Sequence, residues 1–201
     1  MKIRALFTSA IFLAAACGAE TVSNTPQTDA VLDLLSPRFR FGETLGDLKR
    51  GGTVIEIDSS ETGSASARLA LPSERLGFAG LRIIGPKIED ANTGGDIKAH
   101  EFIFYTDQSR NGFAEQEAMR ALTRVFQRPP ATGCAGSAAT REERLSYWEN
   151  PSGGGAALFV PVGHAGGDLR AWPVRLVVYP EPRQISEIAS QYRPEPCDAA
   201  T

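Results

Sequence analysis

Apolar and polar positions follow two rhythms along this chain. The helical rhythm is strongest from Phe113 to Gln127, where Ala118, Met119, Leu122, Val125 and Phe126 share one face and Glu115, Arg120 and Arg124 lie elsewhere. Asn111 is placed to cap that helix, acidic residues come early and basic ones late, and Pro129-Pro130 ends it. Asp29 to Ser36 is a shorter helical stretch stopped by Pro37. Thr44 and Asp47 have the spacing of a capping box, so a helix of less than two turns is expected before Gly51-Gly52. Gln184 to Gln191 reads as a short final helix.

The alternating rhythm of half-buried strands occupies most of the remainder. Thr53 to Asp58, Arg68 to Leu71, Gly80 to Ile84 and Ile97 to Thr106 carry it, with a briefer instance at Phe39-Arg-Phe41. Arg141 to Asn150, Ala156 to Val162 and Asp168 to Tyr179 add three more. Pro161 and Pro173 fall inside two of these, which places each at an edge or a bulge. Asn92 to Asp96, Asn150 to Gly155 and Gly163 to Asp168 are turn-like, so neighbouring strands should run antiparallel. Helix, strands, helix, strands then predicts an α+β fold: an antiparallel sheet with one main amphipathic helix and one or two short helices on one face.

Before this pattern begins, the chain reads as an address. Lys2 and Arg4 precede an uncharged, mostly apolar run from Ala5 to Ala16. Twelve helical residues rise about 18 Å, too short for a hydrocarbon core of about 30 Å, so residues 1–16 read as a secretory signal. Leu13-Ala-Ala-Ala-Cys17-Gly18 resembles the lipobox of bacterial lipoproteins, in which small residues precede a cysteine that is lipidated and becomes the new N-terminus. Ala14 departs from the usual Leu three residues before the cysteine, and cleavage after Ala16 or Ala19 without lipid is the alternative. Residues 17–28 would be the lipid attachment and a polar spacer, 29–191 one domain, and 192–201 a tail. A split near residue 110 into two helix-plus-sheet units is the other domain reading.

Cysteine parity bears on the same question. With Cys17 carrying lipid, Cys134 and Cys197 are left to pair in an oxidising compartment. The disulfide would pin the tail to the loop after the main helix and stabilise by about 4 kcal/mol through loop closure.

Gly42-x-Thr44-x-x-Asp47-Leu48 resembles the opening of BamE/SmpA-like envelope lipoproteins, and the helix running into Phe126-Gln-Arg-Pro129 resembles the end of a helix in that family. The resemblance implies a non-enzymatic role, either scaffolding in outer-membrane assembly or inhibition of a protein target.

Charge and motifs narrow the choice further. Beyond the leader the chain has 19 basic and 24 acidic residues without a basic stripe, which argues against nucleic-acid binding. His100 lies on a strand beside Phe102 and Phe104, with Glu101 on the opposite side. His164 sits in a Gly-rich loop four residues before Asp168. Neither has the spacing of a catalytic or metal motif, and no cofactor-binding signature is present. Trp148 and Trp172 are expected in the core, sealing the sheet. The expected function is an exported, lipid-anchored envelope protein that binds or scaffolds, with the membrane and an envelope protein as partners. A secreted inhibitor or binder is the alternative, and a periplasmic hydrolase a second one.

Overall fold

In the computed structural model, residues 26–36, 39–44, 54–59, 64–86, 101–135, 142–150, 153–163, 172–180, 187, 192, 193 and 197 are described. Helix α1 spans Pro26–Leu35, three residues longer at its start than the periodicity suggests. Pro26 suits a first turn, where its missing N–H has no intrahelical partner to lose. Four strands follow: β1 (Val54–Ser59), β2 (Ser64–Arg75), β3 (Phe78–Pro86) and β4 (Glu101–Thr106). Helix α2 (Asn111–Phe126) comes next, then β5 (Ala131–Ala135), β6 (Glu142–Glu149), β7 (Gly155–Gly163) and β8 (Arg175–Tyr179).

All eight strands form one antiparallel sheet in the order β1-β2-β3-β4-β8-β7-β6-β5. Chain order is thus a helix and a four-strand meander, twice. The last strands of the two meanders, β4 and β8, pair at the centre with Phe102 opposite Val178 and Phe104 opposite Leu176. Both helices cover one face, as the α+β reading expects. Val31, Leu32 and Leu35 of α1 and Ala114, Ala118 and Leu122 of α2 pack there on Phe78, Leu81, Phe102, Phe104, Trp148, Leu158 and Leu176. Trp148 is fully buried, stacks on Phe126, and donates its indole N–H to the Arg128 carbonyl at 3.2 Å.

Several elements depart from the sequence reading. Phe39 and Phe41 lie outside any strand. They are buried rings set against Phe102, with centroids 6.2 and 4.8 Å away, so their alternation reflects two plugs at one end of the core. Asn111 does not cap α2. Its amide instead ties three segments: Oδ1 accepts from Thr106 Oγ1 and from Val174 N–H, and Nδ2 donates to the Trp172 carbonyl at 2.8 Å. Trp172 is 40% exposed and precedes β8, which starts only at Arg175, so it seals no core. Pro161 lies beside a register shift at Glu142/Glu143, the bulge that a proline in a central strand requires. β5, which alternation does not mark, forms an edge strand on β6. The helix expected over 45–50, the turn at 92–96 and, apart from residue 187, the final helix over 184–191 lie outside the described residues.

The β2–β3 hairpin shows how tightly the sheet meets α2. Arg75 pairs with Phe78 across a two-residue turn whose members, Leu76 and Gly77, both have positive φ (53° and 84°). That is the backbone sign of a type I′ hairpin, and it costs a bulky residue such as Leu a little over one kcal/mol, about 1–2. Packing of Leu76 against the main core offsets the cost. Gly77 has no such latitude: a Cβ there would lie 2.7 Å from Ala114 Cβ and 3.0 Å from its Cα. Gly77→Ala should therefore destabilise by about 2–4 kcal/mol, read as a fall of several degrees in the thermal midpoint. Adding Ala114→Gly should recover at most a small share of the loss, since the contact with the Ala114 Cα at 3.0 Å and the cost of positive φ both remain and a helix-interior Gly costs about 1 kcal/mol of its own.

Candidate functional site

The face of the sheet opposite α1 and α2 holds a second, smaller core of Ile103, Leu145, Ala157, Phe159, Val177 and Tyr179. Alternation along β3, β4 and β8 places charged and phenolic side chains among these apolar ones. Arg82 is opposite Ile103, Arg175 is opposite both Tyr105 and Phe159, and Glu101 begins β4 one step beyond the Phe102–Val178 pair. Arg175 lies over the Phe159 ring, 4.7 Å from its centroid, and its Nη2 donates to both carboxylate oxygens of Glu143 at 2.8 and 3.0 Å. A half-buried guanidinium thus gains a carboxylate and an aromatic face together. Its Nε is buried without a hydrogen-bond partner.

Glu101 carries the clearest electrostatic signature. Burial pushes its carboxyl up to about 7, while Arg175 and then Arg82 pull the other way. The Tyr179 hydroxyl is driven well above its usual range, first by burial, then by Glu101 and Tyr192. These groups lie on neighbouring strands of one surface and form a weakly solvated, proton-sensitive cluster.

The tail meets this face from the β5 side. Cys134 and Cys197 are joined by a disulfide, with Cα atoms 5.0 Å apart. Arg193 forms an antiparallel bridge with Cys134 through two N–H···O bonds of 2.8 Å, and its guanidinium reaches the buried Glu142 at 3.1 Å. Tyr192 packs on Phe159 with ring centroids 5.8 Å apart. Gly133 permits this approach, since a Cβ there would lie 2.7 Å from the Arg193 carbonyl. Edge strand β5 is therefore paired at Cys134 on its outer side, which shortens the open hydrogen-bonding edge there.

Of the residues singled out in the sequence, Cys134 and Cys197 come together, whereas Cys17, His100 and His164 lie outside the described residues. Among the described residues no group of three or more His, Cys, Asp or Glu side chains could hold a metal ion, and no helix is long and apolar enough to cross a membrane. Glu101 escaped the sequence reading, which placed it only as the neighbour of His100. Its signal was a lone carboxylate leading the apolar run Phe102-Ile-Phe-Tyr105.

The raised Glu101 carboxyl links pH to stability. Between its ordinary value of 4.5 and about 7, the folded protein holds a proton that the unfolded chain has released. Stability conferred by that proton is full below pH 4.5 and is lost as pH rises through 7, on the order of 3 kcal/mol in all. The thermal midpoint should accordingly be higher at pH 5 than at pH 7.5. Glu101→Gln should flatten that difference and raise the midpoint at pH 7.5; an unchanged pH slope in the variant would remove Glu101 as its source. No protein-family model matches this chain, and comparison with curated proteins and with solved structures finds no match either.

Proposed function

We propose that this chain is an exported envelope protein, anchored by lipid on Cys17, with a binding or scaffolding role in place of catalysis. The observation that carries this reading is the Cys134–Cys197 disulfide. It consumes two of three cysteines, suits an oxidising compartment, and leaves the lipobox-like Cys17 as the odd one. The leader and the polar residues after Cys17 support the same address. The charges of the face opposite α1 and α2 support the non-catalytic part: Arg175 is held by Glu143 and Phe159, and Arg193 by Glu142, so they bind sheet and tail together.

A second reading, a secreted binder or inhibitor without lipid, draws on two exposed aromatics. Phe113 is 51% and Trp172 40% exposed, and Asn111, two residues before Phe113, holds the Trp172 carbonyl. Rigidly mounted exposed rings are the kind of residue on which protein interfaces concentrate their energy. Intact mass of the protein recovered from membranes separates the readings. Lipidation predicts an N-terminus at Cys17 bearing acyl chains, a mass lower by two hydrogens for the disulfide, and release of a Cys17→Ala variant from the membrane fraction. An unmodified N-terminus at Cys17 or one at Glu20, or a Cys17→Ala variant still in membranes, would overturn the anchor.

A further inference from the structure

A hollow of about 230 Å³ opens at one corner of the face opposite α1, where the end of α2 meets the first residue of β5. Arg128, Pro129, Ala131, Tyr147 and Glu149 line it. It exists because Ala131 stands directly across from Tyr147 in the β5–β6 register, so a methyl group sits where a larger side chain would fill the space. Its walls are fixed from behind by the bond from the buried Trp148 indole to the Arg128 carbonyl, and by Gln127, which ends α2 in the left-handed conformation.

The chemistry of the lining is unspent. Among the described residues, the Arg128 guanidinium, the Glu149 carboxylate and the Tyr147 hydroxyl make no side-chain hydrogen bond or ion pair, with each other or with anything else. A cation and an anion thus face one small volume more than salt-bridge distance apart. The Glu149 carboxylate is the counter-charge for a bound ammonium. Tyr147 offers such an ammonium both a ring face and a hydroxyl. Arg128 offers a fork matched to phosphate oxygens.

We propose that this hollow binds the phosphoethanolamine group, a zwitterion whose phosphate pairs with Arg128 and whose primary ammonium pairs with Glu149 across Tyr147. Its charges are separated by two carbons, which suits walls that do not reach each other. Location points to a phospholipid headgroup as the source. Asn150, next to Glu149, donates to Gln27 Oε1 at 2.7 Å, so the chain enters the domain beside this corner. Pro26 is nine residues beyond Cys17, a span of at most about 30 Å. This choice of source rests on the proposed lipid anchor; the fit of the hollow to the zwitterion does not.

The test has two arms. In solution, O-phosphoethanolamine titrated into the purified protein should shift the amide resonances of Arg128, Ala131 and residues 147–149 saturably. Ala131→Leu, which fills the hollow on an exposed edge position, and the neutral changes Arg128→Gln and Glu149→Gln should each weaken binding about tenfold or more. On vesicles, adding phosphatidylethanolamine to phosphatidylcholine should increase flotation of the protein, and Ala131→Leu should abolish that increase while leaving any leader or acyl contribution intact. Binding in solution with no headgroup effect assigns the site to a free phosphoethanolamine compound and removes the lipid source, leaving the hollow's specificity standing. Absence of saturable shifts together with no headgroup effect, or binding unchanged in all three variants, overturns the proposal. Unaltered thermal midpoints in the variants show that lost binding is not lost folding.

Discussion

Everything in this fold leans on the seam between β4 and β8. Each meander alone is a four-strand ribbon, and α1 lies over β7 and β8 while α2 lies over β6 and β7; the four residue pairs from Phe102–Val178 to Tyr105–Arg175 join the ribbons into one sheet. The seam also decides which side chains share a surface. On the helix side it brings Phe102 and Phe104 beside Leu176 and Val178, beneath both helices. On the other side the same alternation sets Glu101 beside Tyr179 and leaves Arg175 between Tyr105 and Phe159. A one-residue slip would exchange these faces and drive Arg175 into the main core.

Charge on the face opposite α1 and α2 is tolerated because it is engaged. Arg175 has Glu143 and an aromatic ring, and Arg193 has Glu142, although Glu142 is almost entirely out of solvent. Removing Arg193 would cost more than the pair contributes, since Glu142 would stay buried with its charge. Glu101 has only the more distant attraction of two guanidiniums, and its affinity for a proton rises accordingly. The tail closes the structure with one covalent link, one backbone bridge and one ring contact.

Much of the framework is legible in the residues, and the exceptions have physical reasons. α2 declares itself because its apolar stripe meets a sheet on one side and water on the other. β6 and β7 declare themselves through bulky alternation. β5 does not, since Ala131-Thr-Gly-Cys-Ala135 has no large side chains to alternate; its partners on either side, β6 and Arg193, define it. The Leu76-Gly77 turn is hidden because leucine is an improbable residue at positive φ, and only its packing explains it. Asn111 looks like a cap and serves as a tie between distant segments, which no local pattern encodes. The pairing of Cys134 with Cys197 follows from counting once Cys17 is set aside, whereas the cluster at Glu101 depends on the register of strands far apart in the chain.

That distance has a consequence for how the molecule comes into being. β4 finds its partner β8 some seventy residues later, after a helix and three further strands have been made. Until then the first meander presents an unpaired apolar strand, Phe102-Ile-Phe-Tyr105, along its open margin. Non-local pairing of this kind forms slowly, and a waiting edge of that composition invites association with other chains. The design favours a chain that begins to fold only when all of it is available at once.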